Sequence, residues 1–191
     1  FQRISPQRVD SNTYNSGATT ARINQRVQDS TQPDGPGVYS FEWGTKFRNG
    51  DRVIQTTNNY KVGVVNGQQG TVVMANADGL RVQFDDMPDG ENTSIYYSDT
   101  GGEDVPNPSE LDLAFGITVH RAQGSQWLDV FFVADSRHTR MLQRRLFYTA
   151  ITRTEKHLTI SCSRAAVQRA IRNNIASDRN TVLVEKLQGK Y

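Results

Sequence analysis

Few residues in this chain have side chains able to do chemistry. There are three histidines, His120, His138 and His157, and one cysteine, Cys162. None of them has the spacing of a metal-ligand set, and no Ser/His/Asp or paired-carboxylate arrangement accompanies them, so no metal site is expected. A phosphate loop of the form G-x-x-x-x-G-K-S/T is absent from these residues. What stands out is the stretch 115–162. It holds Thr118, His120, Arg121 and Gln123 in a helix-compatible run, then Gly124, Ser125 and Gln126, then Arg140, Arg144, Arg145 and Arg153. Planar guanidinium forks suit phosphate oxygens. A lone histidine on a helix is more often structural than functional.

Four elements must position these groups. After the run comes an apolar strand, Val130 to Ala134, then a basic amphipathic helix from about Thr139 to Thr152, then a second strand, Leu158 to Cys162. Leu142, Leu146, Thr149 and Ala150 recur at helical spacing and form its apolar face. Strands alternating with a helix predict a βαβ unit and a parallel sheet, hence an α/β fold. Arg153 also suits the negative end of the helix dipole. Cys162 reads as a buried structural thiol; a single cysteine forms no internal disulfide, which fits a reducing, cytoplasmic setting.

The 191 residues allow one ordinary domain, or one domain with a small insertion. The mean hydropathy is −0.63, and no run approaches the ~18 apolar residues of a membrane helix. The first residue is Phe, and we read the chain as part of a longer protein. A net charge of +2 hides a strong asymmetry: +3 over residues 1–61, −8 over 62–111 and +7 over 112–191. Basic flanks suggest a polyanion partner, and the acidic middle repels phosphate.

Residues 1–5 read as a short strand ending at Pro6, and about 18–29 as a helix with Ala21, Ile23, Asn24, Val27 and Gln28 on one face. A Gly- and Pro-rich connector, 31–44, carries alternating Tyr39, Phe41 and Trp43, either a stacking surface for bases or a strand covering a sheet edge. Arg52 to Gln55 is a strand. Asn58, Asn59, Tyr60, Asn66 and Gly67 form a polar elbow, with Asn66-Gly67 a strong hairpin-turn signal. Asn58 and Asn59 either orient a ligand or bond their own backbone. From Gly70, short strands (71–75, 80–84, 93–97) separated by turns predict a small antiparallel barrel. After Cys162, Ser163 caps a helix with Val167, Ala170, Ile171 and Ile175 on one face, and 181–187 is a terminal helix.

TVHRAQGSQW (118–127) followed by LFYTAITRTEKHL (146–158) resembles the last two motifs of superfamily-one helicases of the RecD type (RecD/TraA), and 50–72 resembles the approach to that family's inserted barrel. The resemblance spans Phe47 to about Ser163. It implies a RecA-like second motor domain, 1–61 with 112–191, interrupted by an SH3-like barrel at 62–111. It implies ATP with Mg²⁺, held mainly by an N-terminal motor domain outside these residues, and travel 5′ to 3′ on single-stranded DNA. It also implies roles: Arg153 as the arginine finger; Gly124, Ser125 and Gln126 beside the nucleotide; Thr118, His120, Arg121, Gln123, Asn66, Ser5 and Pro6 beside DNA. Gln126 stands where relatives usually carry Glu, keeping an acceptor without the charge.

Two other readings stay open at this level. One is a nucleic-acid-binding module with no ATPase role of its own. The other is a protein-interaction module whose acidic insert recruits a basic partner.

Overall fold

The structure is a computed structural model that describes residues 2–5, 19–31, 37–40, 45–88, 93–102, 104–135, 138, 141–173 and 188. The described strands form two larger sheets and a two-stranded hairpin. The first is parallel, in the order β11-β10-β1-β9, made of β1 (Gln2–Ser5), β9 (Gly116–Thr118), β10 (Trp127–Ala134) and β11 (Thr154–Cys162). The expected βαβ unit is present as β10, α2 (Arg144–Ile151) and β11. Val130, Phe132 and Ala134 alternate into the main core, where Phe132 meets Phe147 of α2 edge to face at 5.4 Å. Period-2 alternation in β10 and helical spacing in α2 put these apolar groups on facing surfaces.

The second sheet is antiparallel, in the order β7-β6-β5-β4-β8: β4 (Arg52–Gln55), β5 (Gln69–Ala75), β6 (Leu80–Phe84), β7 (Ile95–Tyr97) and β8 (Leu111–Leu113). It curls, because Tyr97 on the β7 edge reaches β4: its hydroxyl donates to Gln55 Oε1 at 2.8 Å. Gln55 Nε2 in turn donates to the Glu110 carboxylate at 2.8 Å. A separate hairpin, β2 (Val38–Ser40) with β3 (Lys46–Arg48), sends Tyr39 and Phe47 into this smaller core. Tyr39 is therefore a core residue rather than a base-stacking surface; Phe41 and Trp43 lie outside the described residues.

Several expectations need correction. Arg52–Gln55 lies in the small sheet, pairing with β5 and β8, although the sequence reading put it in the larger domain. Successive strand side chains point to opposite faces: Val53 faces the small core and Ile54 the main core, so β4 is a wall common to both. Helix α1 (Thr20–Thr31) buries Thr20, Ile23, Asn24 and Gln28, a mostly polar face. It docks through amides: Asn24 donates to Leu113 O at 2.7 Å and accepts from Gly116 N at 2.6 Å, and Gln28 donates to Lys46 O at 2.9 Å. Helix α2 begins at Arg144, five residues later than expected, and Leu142 is buried ahead of it. Cys162 is only half-buried, since β11 is an edge strand whose residues 155–161 are exposed. Helix α3 (Arg164–Arg172) is capped as expected, Ser163 Oγ accepting from Ala166 N at 3.1 Å. Its buried residues are Ala166 and Ala170, while Ile171 faces solvent. The helix expected at 181–187 lies outside the described residues. Among the described residues no helix is long and apolar enough to cross a membrane.

Candidate functional site

The run after Thr118 is not a helix. Thr118 closes β9, and a single return bond, Ala122 N to Thr118 O at 3.0 Å, starts a turn series instead. Thr118 Oγ1 accepts from Arg121 N at 3.3 Å, pinning the first turn. Gln123 N to His120 O at 3.2 Å and Ser125 N to Ala122 O at 3.3 Å continue it. Gly124 then adopts φ +88, which only glycine reaches without strain, and this stops any helix. Val119 and Ala122 are buried in the main core, so His120, Gln123 and Gly124 are left facing solvent.

Arg153 follows α2 directly. Its guanidinium is held by three protein acceptors: Nε donates to Thr149 O at 3.2 Å, Nη1 to Ser125 O at 3.2 Å and Nη2 to Thr152 Oγ1 at 3.3 Å. Trp127 N also donates to Arg153 O at 2.9 Å. The two motifs, 28 residues apart along the chain, are thus tied together by side chain and backbone. A Cβ placed on Gly124 would meet no atom within 4 Å, so open space adjoins this pair.

The register sets where each end of the turn series lies. Ser5 pairs with Thr118 at the C-terminal edge of the parallel sheet, one step beyond the Ile4–Phe132 pair. Trp127 pairs with Thr154 at the opposite edge. Six residues of β10 separate those levels, roughly 20 Å. The segment 118–127 therefore runs from one edge of the sheet to the other, with Thr118 and His120 at one end and Ser125, Gln126 and Arg153 at the other.

Two clefts flank the turn. The larger, of about 620 Å³, lies between α1, β9 and the start of β3, and includes Thr118, Arg121, Asn24, Gln25 and Lys46. Arg121 is not free in it, because Nη1 pairs with Asp112 Oδ2 at 2.7 Å. The smaller, of about 260 Å³, brings His120 and Gln123 together with Gln143, Arg145 and Thr149 of the α2 region. Reading the sequence missed Asp112, Gln143 and Thr149 as members of this site. Thr149 sits among the apolar positions of the helix, so the pattern alone assigned it to the core. Asn66 lies apart on the elbow, its N–H bonded to Asn58 Oδ1 at 2.8 Å. Pro6 lies outside the described residues. Among those residues no group of three or more His, Cys, Asp or Glu could hold a metal ion.

Comparison with known proteins adds a second line. Residues 113–161 match the family model of the UvrD-like helicase C-terminal domain, and residues 23–84 that of the ATP-dependent RecD-like DNA helicase SH3 domain. The chain is 36% identical over 166 residues to an ATP-dependent RecD2 DNA helicase of Deinococcus radiodurans, covering 87% of this chain and 21% of that protein. It is 30% identical over 129 residues to the RecBCD enzyme subunit RecD of Mycolicibacterium smegmatis, covering 68% and 21%. The chain thus spans about a fifth of the length of these curated relatives. Two solved structures share the fold at 16% identity. One, of two coordinating Pif1 helicases unwinding forked dsDNA, has TM-score 0.57 over 100% of this chain and 44% of that one. The other, Bacteroides Pif1 bound to ssDNA, has TM-score 0.55 over 98% and 47%.

Proposed function

The chain unites a UvrD-like helicase C-terminal domain with the SH3 domain of ATP-dependent RecD-like DNA helicases, and on that footing we propose that it is the second motor domain of a DNA helicase driven by ATP along single-stranded DNA. The observation that carries the reading is the placement of Arg153 against the Ser125 carbonyl, at the opposite sheet edge from Thr118 and His120. One continuous segment touches both places. A shift of the nucleotide end is then felt at the strand end, which is what coupling hydrolysis to movement requires.

The residues present fit a nucleotide. A planar cation adjoins a glycine turn with open space, and Ser125 and Gln126 supply polar groups beside it. Bound ATP supplies the phosphoanhydride whose terminal group is transferred to water. Arg153 keeps these three acceptors and turns its two remaining guanidinium N–H groups to phosphoryl oxygens, where an arginine fork stabilises developing charge. Gln126 lies at the ribose end. The P-loop lysine and the Mg²⁺ ligands come from an N-terminal motor domain outside these residues.

On the DNA side, Thr118, His120 and Gln123 contact the strand, and Arg121 must exchange Asp112 for phosphate to join them. The backbone register of Ser5 with Thr118 supports counting it with them. We also propose that the exposed acids of the small barrel, Asp78 and Asp86 among them, face a basic protein partner, and that the protein works in the cytoplasm. The barrel domain is best taken as residues 46–113, since β3, β4 and β8 belong to its core or sheet. ATP hydrolysis by the full-length protein, with and without single-stranded DNA, tests the proposal. Equal rates in the two conditions would overturn it.

A further inference from the structure

Among the described residues, Tyr60 is the most exposed of the large apolar side chains, at 78%. It is not on a loose loop. Asn58 Nδ2 donates to its hydroxyl at 3.1 Å, and Asn58 Oδ1 accepts from Asn66 N at 2.8 Å. Asn59 and Val64 exchange backbone bonds of 2.8 and 3.0 Å, and Val64 is fully buried in the small core. The elbow 56–66 thus holds a phenol ring outward by its polar end, so the apolar faces stay in water. An ordered aromatic group left exposed in this way is suited to a flat apolar ligand.

The setting narrows the ligand. Residues 62–111 carry a charge of −8, which disfavours gripping a phosphate backbone. Stacking of a base on a ring needs no charge and tolerates any sequence. The elbow is also tied to the site already described. Glu110 accepts from Thr56 N at 2.7 Å through its carbonyl, and from Asn59 Nδ2 at 3.2 Å through its carboxylate. Two residues further on, Asp112 holds Arg121, a separation of roughly 7 Å along an extended chain.

We propose that Tyr60 is a stacking platform for a nucleobase of the single strand that passes Thr118, His120 and Arg121. The inference rests on the reading of this chain as a DNA-helicase domain. The elbow would supply base contact without phosphate contact, letting an acidic barrel take part in a DNA track.

The test compares full-length wild type, Tyr60→Ala and Tyr60→Trp in binding to oligothymidylate and to an abasic strand of the same length, across a salt series. Tyr60→Ala is expected to bind oligothymidylate roughly 5- to 150-fold more weakly, with the salt slope unchanged. On the abasic strand it should match wild type, and Tyr60→Trp should retain binding on both. Equal loss on the abasic strand, or no loss on oligothymidylate, overturns the platform; a fall in basal ATPase without DNA would mark Tyr60 as a contact to another domain and also overturn it. Wild type that binds neither strand removes the helicase reading and this inference together. Wild type that binds while Tyr60→Ala binds equally removes this inference alone.

Discussion

Arg153 Nη1 donates to the carbonyl of Ser125 at 3.2 Å, so the arginine after α2 and the glycine turn before β10 are in direct contact. The guanidinium makes two further bonds, to Thr149 O and Thr152 Oγ1. Its orientation is therefore set before any phosphate arrives. Preset groups lose less freedom on reaching the transition state.

Arg153→Ala in the full-length protein should lower DNA-stimulated ATP hydrolysis by roughly 10³-fold or more, the range seen for arginine fingers. The three lost hydrogen bonds should cost on the order of 1–3 kcal/mol of stability. Arg153→Lys keeps the charge but not the fork, and should recover little of the rate. Steady-state hydrolysis run beside thermal denaturation separates the two effects. Near-normal turnover in the alanine variant would place the finger elsewhere.

His120→Ala should weaken single-strand binding and the stimulation of hydrolysis, leaving nucleotide affinity nearly untouched. The ring is exposed and sits at the far end of the turn from Ser125. Fluorescent-nucleotide binding and DNA titration on the same variant provide the comparison. If stimulation and DNA affinity both persist, His120 is a structural residue.

Excising 62–111 to ask whether the barrel holds DNA would be a poor experiment. It would take β5 from β4 and uncover Val53, Phe47 and Tyr39. Single charge changes ask the question with the fold intact. Arg145→Ala, beside His120, should reduce the log-log salt slope of single-strand binding by about 0.7, one phosphate equivalent. Asp86→Asn on the barrel should leave it unchanged. The reverse pattern would move the phosphate grip onto the barrel.

Asp51 predicts a pH dependence. Its carboxylate is completely buried, accepting from Arg48 N at 2.7 Å and from Gln28 Nε2. Burial raises its pKa above the ordinary 3.8, against the smaller lowering effects of the Arg48 N–H, the Gln28 amide and the Arg48 charge. A raised folded-state value means that the native state holds the proton more tightly than the unfolded one. The associated stability is full below about 3.8 and is lost as pH rises through the higher folded value. Denaturation midpoints of wild type and Asp51→Asn should therefore diverge with rising pH, the variant gaining on wild type. Parallel curves would show that Asp51 ionises as an ordinary carboxylate.

Much of this protein was legible in local patterns. The apolar run 130–134, the short strands after Gly70 and the serine cap at 163 are nearest-neighbour signals, and each element formed where those signals lay. The motif residues drew attention through a resemblance carried by local sequence, which holds whatever the fold around them. Thr118–Gln123 misled because the spacing of a turn series with two buried positions, Val119 and Ala122, is also that of a helix. Only the tertiary structure decided that β4 lines two cores, since a strand buried on both faces shows no alternation to read. It also decided that Arg121 is paired with Asp112, that α1 docks through amides, and that Arg153 lies against Ser125. Those contacts join residues 9, 89 and 28 positions apart. No local propensity encodes them; the last follows from the parallel register of β1, β9, β10 and β11, which carries the two ends of one short segment to opposite edges of the sheet, and the other two from the packing of β8 beside that sheet.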